Sequence, residues 1–157
     1  MASPEQTFES DEQKVYMLAD ACFAYLEQHG DEAEDKLIDE QHTLMAYVYL
    51  DSQVQEGGFL QLIASGYGEY VLLNPLADSL RRWKIKLTPR ILDKAKALYL
   101  QEGSKIEAAS DAGTDLDTLR REFDCFEELD ADYYEAAEED MAAVAAYLSA
   151  HPEKFAL

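Results

Sequence analysis

Carboxylates crowd two stretches of this sequence. Asp31, Glu32, Glu34, Asp35, Asp39 and Glu40 form the first, and Asp124, Glu127, Glu128, Asp130, Asp132, Glu135, Glu138, Glu139 and Asp140 form the second. Carboxylates at close spacing serve two kinds of chemistry. A pair with separated pKa values does acid–base work, and a dense display of fixed negative charge binds a cationic surface. With thirty-three acids in 157 residues, close pairs arise by chance, so no catalytic pair stands out. Acids in the first turn of a helix complement its dipole, which accounts for three or four of them. It does not account for six acids between Asp130 and Asp140. At helical rise these eleven residues span roughly 16 Å, or one charge per about 2.7 Å, against about 1.7 Å of axis per charge in duplex DNA. Charges so crowded repel one another, and a purely structural surface would intersperse lysines.

Other chemistries find little support. His29, His42 and His151 are scattered, without the spacing of a zinc site. Asp111, Asp115, Asp117 and Glu122 imitate a calcium loop, but Gly113 and Leu116 stand where such a loop needs an oxygen ligand and a glycine. Gly57-Gly58 and Gly66-Tyr67-Gly68 lack the flanking strand and cation of a phosphate cradle, and no nucleophile motif appears. Cys22 and Cys125 have no ligand-like neighbours and read as reduced, partly buried small hydrophobes. The expectation is a protein that is not an enzyme and uses no metal and no cofactor.

Charge is unevenly distributed along the chain. Residues 1–80 hold sixteen acids and two bases, residues 81–106 two acids and eight bases, and residues 107–157 fifteen acids and three bases. The whole carries a formal charge of −20. Such a molecule repels nucleic acid and anionic lipid and draws cationic surfaces in a salt-dependent way. The basic island of Arg81, Arg82, Lys84, Lys86, Arg90, Lys94 and Lys96 around Trp83 is read as neutralising the protein's own acids, within the chain or across a homodimer. No apolar run approaches the roughly 20 residues of a membrane span. The acidic N-terminus lacks a signal-peptide pattern, so a cytoplasmic location is expected.

The elements that position these groups are helices throughout. Apolar residues make up 48% of the chain, enough for one folded domain. Residues 1–10 read as a flexible arm ahead of a single acidic helical domain. Ser10 and Gln13 form a capping box, and Val15, Leu18, Cys22, Tyr25 and Leu26 follow at helical spacing to a stop at Gly30. A second helix is predicted from Asp31–Asp35 to about Gln55, broken at Gly57-Gly58, with a short buried helix over Phe59–Ala64. Helix continues from Glu69 to Trp83, interrupted at Asn74-Pro75. Thr88, as N-cap, and Pro89 open a helix that is expected to end at Gly103. Ser104 with Glu107 opens a short turn, Thr114 with Asp117 a longer element, and Asp132 with Glu135 the last helix, which His151-Pro152 closes. The fold class is all-α: one compact multi-helix domain of about six to nine helices.

The segment from Asp51 through Glu56-Gly57-Gly58-Phe59-Leu60-Gln61 to Gly66-Tyr67-Gly68, together with Ala146-Tyr147-Leu148 and His151-Pro152-Glu153-Lys154-Phe155, resembles a bacterial all-helical family. Its mark is a helix followed by a Gly-Gly-Phe-x-Gln segment, and its members include a neisserial DNA mimic. Glu56 stands where the family usually has Asn, and Leu62 where an aromatic is common. The resemblance implies that surface carboxylates take the place of phosphates on the DNA-binding face of a helix-turn-helix transcription factor or nucleoid protein and relieve repression. The alternative is an immunity or antitoxin-like protein that neutralises a basic enzyme.

Overall fold

The computed structural model describes residues 10–157, so the expected N-terminal arm, but for Ser10, lies outside the described residues. Seven α-helices make up most of them: α1 (Asp11–His29), α2 (Asp31–Lys36), α3 (Asp39–Ala64), α4 (Leu76–Arg82), α5 (Thr88–Asp111), α6 (Leu116–Glu122) and α7 (Glu127–Ala150). A π-helical turn (Glu69–Leu73) and two 3-10 turns (Asp124–Phe126 and Pro152–Lys154) complete the path. The all-α expectation holds. Among the described residues no helix is long and apolar enough to cross a membrane.

The organising element is α3. Leu44, Tyr47, Leu50, Val54, Phe59, Leu62 and Ile63 are fully buried and point in several directions around it, the pattern of a helix with neighbours on every side. Its neighbours are α1, α4, α5, α6 and α7. Asp51, in the middle of α3, is only 2% exposed. Its carboxylate accepts from the Tyr16 hydroxyl of α1 at 2.5 Å and the Tyr133 hydroxyl of α7 at 2.6 Å, so the three central helices share one buried acceptor.

The Gly57-Gly58 break is present as a kink within α3. Gly58 has φ +79°, the left-handed region that favours glycine. The backbone groups freed there are taken up from outside the helix. Asp130 of α7 accepts from the Phe59 N–H at 2.8 Å, and Arg120 of α6 donates to the Gly57 carbonyl at 3.1 Å. A methyl group at residue 58 would strike the Asp130 carboxylate. The Gly-Gly-Phe segment is therefore a docking point for α6 and α7.

Several boundaries differ from expectation, each for a packing reason. The predicted second helix is two, α2 and α3, with extended backbone at Leu37 and Ile38. Leu37 leaves the helical path to pack with Cys22 and Met45, and the Gln41 side chain accepts from the Ile38 N–H at 2.8 Å. Ser10 caps α1 as expected, accepting from the Gln13 N–H at 3.1 Å. Thr88 does not cap α5 with its own side chain. Its N–H and hydroxyl both donate to Asp140 of α7, each at 2.6 Å.

Helix α5 does not end at Gly103 but runs to Asp111 through the expected Ser104–Glu107 turn. Gly103 is small because the Tyr99 ring lies across it, while the Tyr99 hydroxyl donates to Glu107 at 2.9 Å. The long element expected from Thr114 is the short α6, capped by Asp115, which accepts from the Thr118 N–H at 2.8 Å. The last helix starts at Glu127, not Asp132. Cys22 is buried, and burial pushes its thiol up to about 11, but Cys125 on the 3-10 turn is exposed rather than partly buried. Trp83 is a core ring, stacked on Tyr147 at 4.4 Å between centroids.

Two substitutions test these docking points by thermal or urea denaturation. D140A leaves two buried donors of Thr88 without an acceptor, and stability is expected to fall by about 2–4 kcal/mol. G58A places a side chain in left-handed backbone against Asp130 and is expected to destabilise by about 2 kcal/mol or more.

Candidate acidic interface

Helix α7 divides its charges between two faces, and helix geometry shows how. At about 100° per residue, Glu127, Glu128, Asp132, Glu135, Glu138 and Glu139 fall within an arc of about 140°. The buried Leu129, Tyr133, Ala136, Ala137, Met141, Val144 and Leu148 fill the opposite arc. Asp130 and Asp140 lie in that apolar arc. Asp140 is 1% exposed with both its hydrogen bonds directed to Thr88. Asp130 is half-buried at the Gly58 kink, and burial raises its pKa from the ordinary value despite the Phe59 N–H. Both were expected among surface acids. Asp140 has no free face to offer a partner, and Asp130 is engaged in holding α3 to α7.

The six remaining acids of α7 run over roughly 18 Å of helix, one charge per about 3 Å. All are exposed except the half-buried Asp132. One strand of duplex DNA carries a charge per about 3.4 Å of axis, so α7 alone presents the linear charge density of one strand. Asp124 is exposed on the 3-10 turn just ahead of it.

The first cluster sits elsewhere. Asp31, Glu32, Glu34 and Asp35 are exposed on α2, and Asp39 is exposed at the start of α3. Glu40 is half-buried and forms an ion pair with Lys154 at 3.7 Å. Between the clusters lies α1, which packs against both α2 and α7 and exposes Asp11, Glu12, Asp20 and Glu27. Asp11 and Glu12 line a cleft of about 520 Å³ together with Tyr134 and Glu138 of α7. The acids of α1 were missed because they are spread out in sequence; only the packing of α1 on α7 places two of them beside Glu138.

Among the described residues the basic island forms ion pairs through Arg81 alone. Arg81 bridges Asp78, at 3.0 Å, and Asp93. Lys84, Lys86, Arg90, Lys94 and Lys96 are exposed and form no ion pair among the described residues. Among the described residues no group of three or more His, Cys, Asp or Glu is placed to hold a metal ion.

An all-helical scaffold with a packed aromatic core and exposed carboxylates on α1, α2 and α7 defines a class of acidic all-helical proteins. The chain belongs to the DMP19-like protein family, whose profile matches residues 35–151. It is 57% identical over 142 residues to the "DNA mimic protein DMP19" of Neisseria meningitidis serogroup B (strain ATCC BAA-335 / MC58), a match covering 90% of this chain and 86% of that one.

The central tyrosines make a pH prediction. Burial, reinforced by Asp51, raises the pKa values of Tyr16 and Tyr133, and burial raises that of Tyr47. Groups whose folded pKa is raised contribute stability that is present below their unfolded value, about 10 for tyrosine, and lost as pH rises beyond it. On the alkaline side, loss of helical circular dichroism is expected to begin above pH about 10, together with delayed, cooperative appearance of tyrosinate absorbance. Tyrosinate appearing gradually around the ordinary pKa without unfolding would contradict this.

Proposed function

We propose that this protein is a DNA mimic that acts without catalysis: its carboxylates occupy the DNA-binding face of a basic protein, of the helix-turn-helix repressor or nucleoid class, and release it from DNA. The observation that carries the proposal is the acid row of α7, six carboxylates at the charge density of one DNA strand on the face turned away from the core. The relative's description as a DNA mimic supports it. The row's rigidity also matters. Asp51, Asp130 and Asp140 fix α7 to α3 and α5, so the charges are held in place before the partner arrives and less ordering entropy opposes binding.

The proposed contact set comprises Glu127, Glu128, Asp132, Glu135, Glu138 and Glu139, with Asp124, Asp11 and Glu12 at its edges. The α2 group of Asp31, Glu32, Glu34 and Asp35, with Asp39, extends the negative field. Glu40, Asp130 and Asp140 are assigned to structure. A homodimer belongs to the same proposal, since the exposed Lys84, Lys86, Arg90 and Lys94 beside the exposed Leu87 would meet acids of a second copy.

The test is affinity capture on the immobilised protein, followed by competition with duplex DNA. A DNA-binding protein should be retained, eluted by duplex DNA, and bound at least about tenfold more weakly when salt rises from about 0.05 to 0.2 M. The E138K/E139K pair should weaken binding by about tenfold or more while leaving the melting temperature within a few degrees. Capture of an enzyme that duplex DNA does not displace would overturn the proposal in favour of an immunity-type inhibitor.

A further inference from the structure

A second feature stands apart from the acid row of α7. Where the start of α3 faces α4, a cleft of about 450 Å³ is lined by Glu34, Asp39, His42, Tyr70, Leu76 and Arg82, among others. Its volume falls in the range of small-molecule sites, about 300–1,000 Å³. Opposite charges line it without closing on each other. Arg82 of α4 donates to the Ser79 hydroxyl at 2.9 Å, yet forms no ion pair with Glu34, Asp39 or any other described acid. In a chain of thirty-three acids and thirteen bases, an arginine that shares a cleft with two carboxylates and pairs with neither leaves both signs of charge available.

The walls are fixed. His42 Nε2 lies 3.2 Å from the Glu34 carbonyl oxygen, holding α2 against α3. The Asn74 amide donates to the Tyr70 carbonyl at 2.6 Å, closing the π-helical turn that carries Tyr70 into the lining. Such turns are rare. Tyr70 packs edge-on against Tyr49, with centroids 5.7 Å apart, and Tyr49 stacks on Tyr67, so the aromatic wall is supported from behind.

We propose that this cleft binds a small free basic amino acid. The ligand's carboxylate would lie on the Arg82 guanidinium, its cationic side chain between Glu34 and Asp39, and its methylenes on Tyr70 and Leu76. Two carboxylates against one guanidinium leave the lining with a net negative charge of one, complementary to a ligand with two cationic groups and one carboxylate. A purely anionic ligand would meet Glu34 and Asp39, and a purely cationic one would leave Arg82 unmatched. The inference does not depend on DNA mimicry.

The experiment is an NMR titration of the full chain with L-arginine, compared with agmatine, which lacks the carboxylate, and L-citrulline, which lacks the side-chain charge. Arginine is expected to shift backbone signals in two groups, residues 34–46 and 70–82. Agmatine and citrulline should each bind about tenfold more weakly, the effect of one charge-assisted contact. R82Q should abolish the preference for arginine over agmatine, and E34Q/D39N the preference over citrulline. All three positions are exposed, and the circular dichroism of each variant checks that its fold is kept. Agmatine binding as well as arginine, shifts spread over α1 and α7, or preferences unchanged in the variants would each overturn the proposal and mark ordinary counter-ion binding to an acidic protein.

Discussion

Asp51 lies in the middle of the one helix that is surrounded on all sides, where an unpartnered carboxylate would be strongly unfavourable. Its position is tolerable because Tyr16 and Tyr133 reach it from α1 and α7 with short hydrogen bonds. The arrangement works in both directions. The carboxylate keeps its two short hydrogen bonds only if both flanking helices are in register, and the tyrosine hydroxyls keep theirs only if Asp51 is there. A buried polar group of this kind fixes which helix faces meet more sharply than apolar packing does, since hydrophobic contact alone accepts many rotations of a helix about its axis.

Asp130 and Asp140 repeat the device at either side of Tyr133. One caps the restart of α3 after its glycine kink, and the other caps α5 through Thr88. Helix ends expose N–H groups that need acceptors, and here the acceptors come from a distant helix instead of the preceding residue. Capping and helix docking thereby become a single interaction. All three acids bear on α7, either projecting from it or bonded to it. The helix that displays the outward acid row is thus also tied to its neighbours at three buried or half-buried acids, and this links the interior chemistry to the proposed function. Charges on a frayed helix would spread apart under their own repulsion, whereas charges on an anchored one keep their spacing.

This division of labour also shows why net charge is a poor guide to function. The same residue types, within one helix and a few positions of each other, do unlike work. Glu138 and Glu139 face solvent while Asp140 next to them is 1% exposed. What separates them is a rotation of about 100° per residue. The bases divide likewise: Arg81 is committed to Asp78 and Asp93, Arg120 to the Gly57 carbonyl, and Lys154 to Glu40 and Tyr147. Lys84, Lys86, Arg90, Lys94 and Lys96 form no ion pair among the described residues.

Local signals in the sequence determined the helical class, the caps at Ser10 and the interruption at Pro75, the kink at Gly57-Gly58 and the two crowded acidic stretches. Each depends on neighbouring residues or on composition. Even the inward face of Asp130 and Asp140 was legible in principle, since both fall in the apolar arc of α7, but only once that helix is known to begin at Glu127 and not Asp132. Tertiary structure decided the rest. The split at Leu37, the passage of α5 through Gly103, the replacement of Thr88's own cap by Asp140 and the burial of Asp51 all depend on groups brought together from distant parts of the chain. The meeting of Asp11 and Glu12 with Glu138, and of Arg82 with Glu34 and Asp39, has the same origin. A sequence states which groups can cap, pair or repel. Which do so depends on distance, and distance between remote residues is set only when the helices pack.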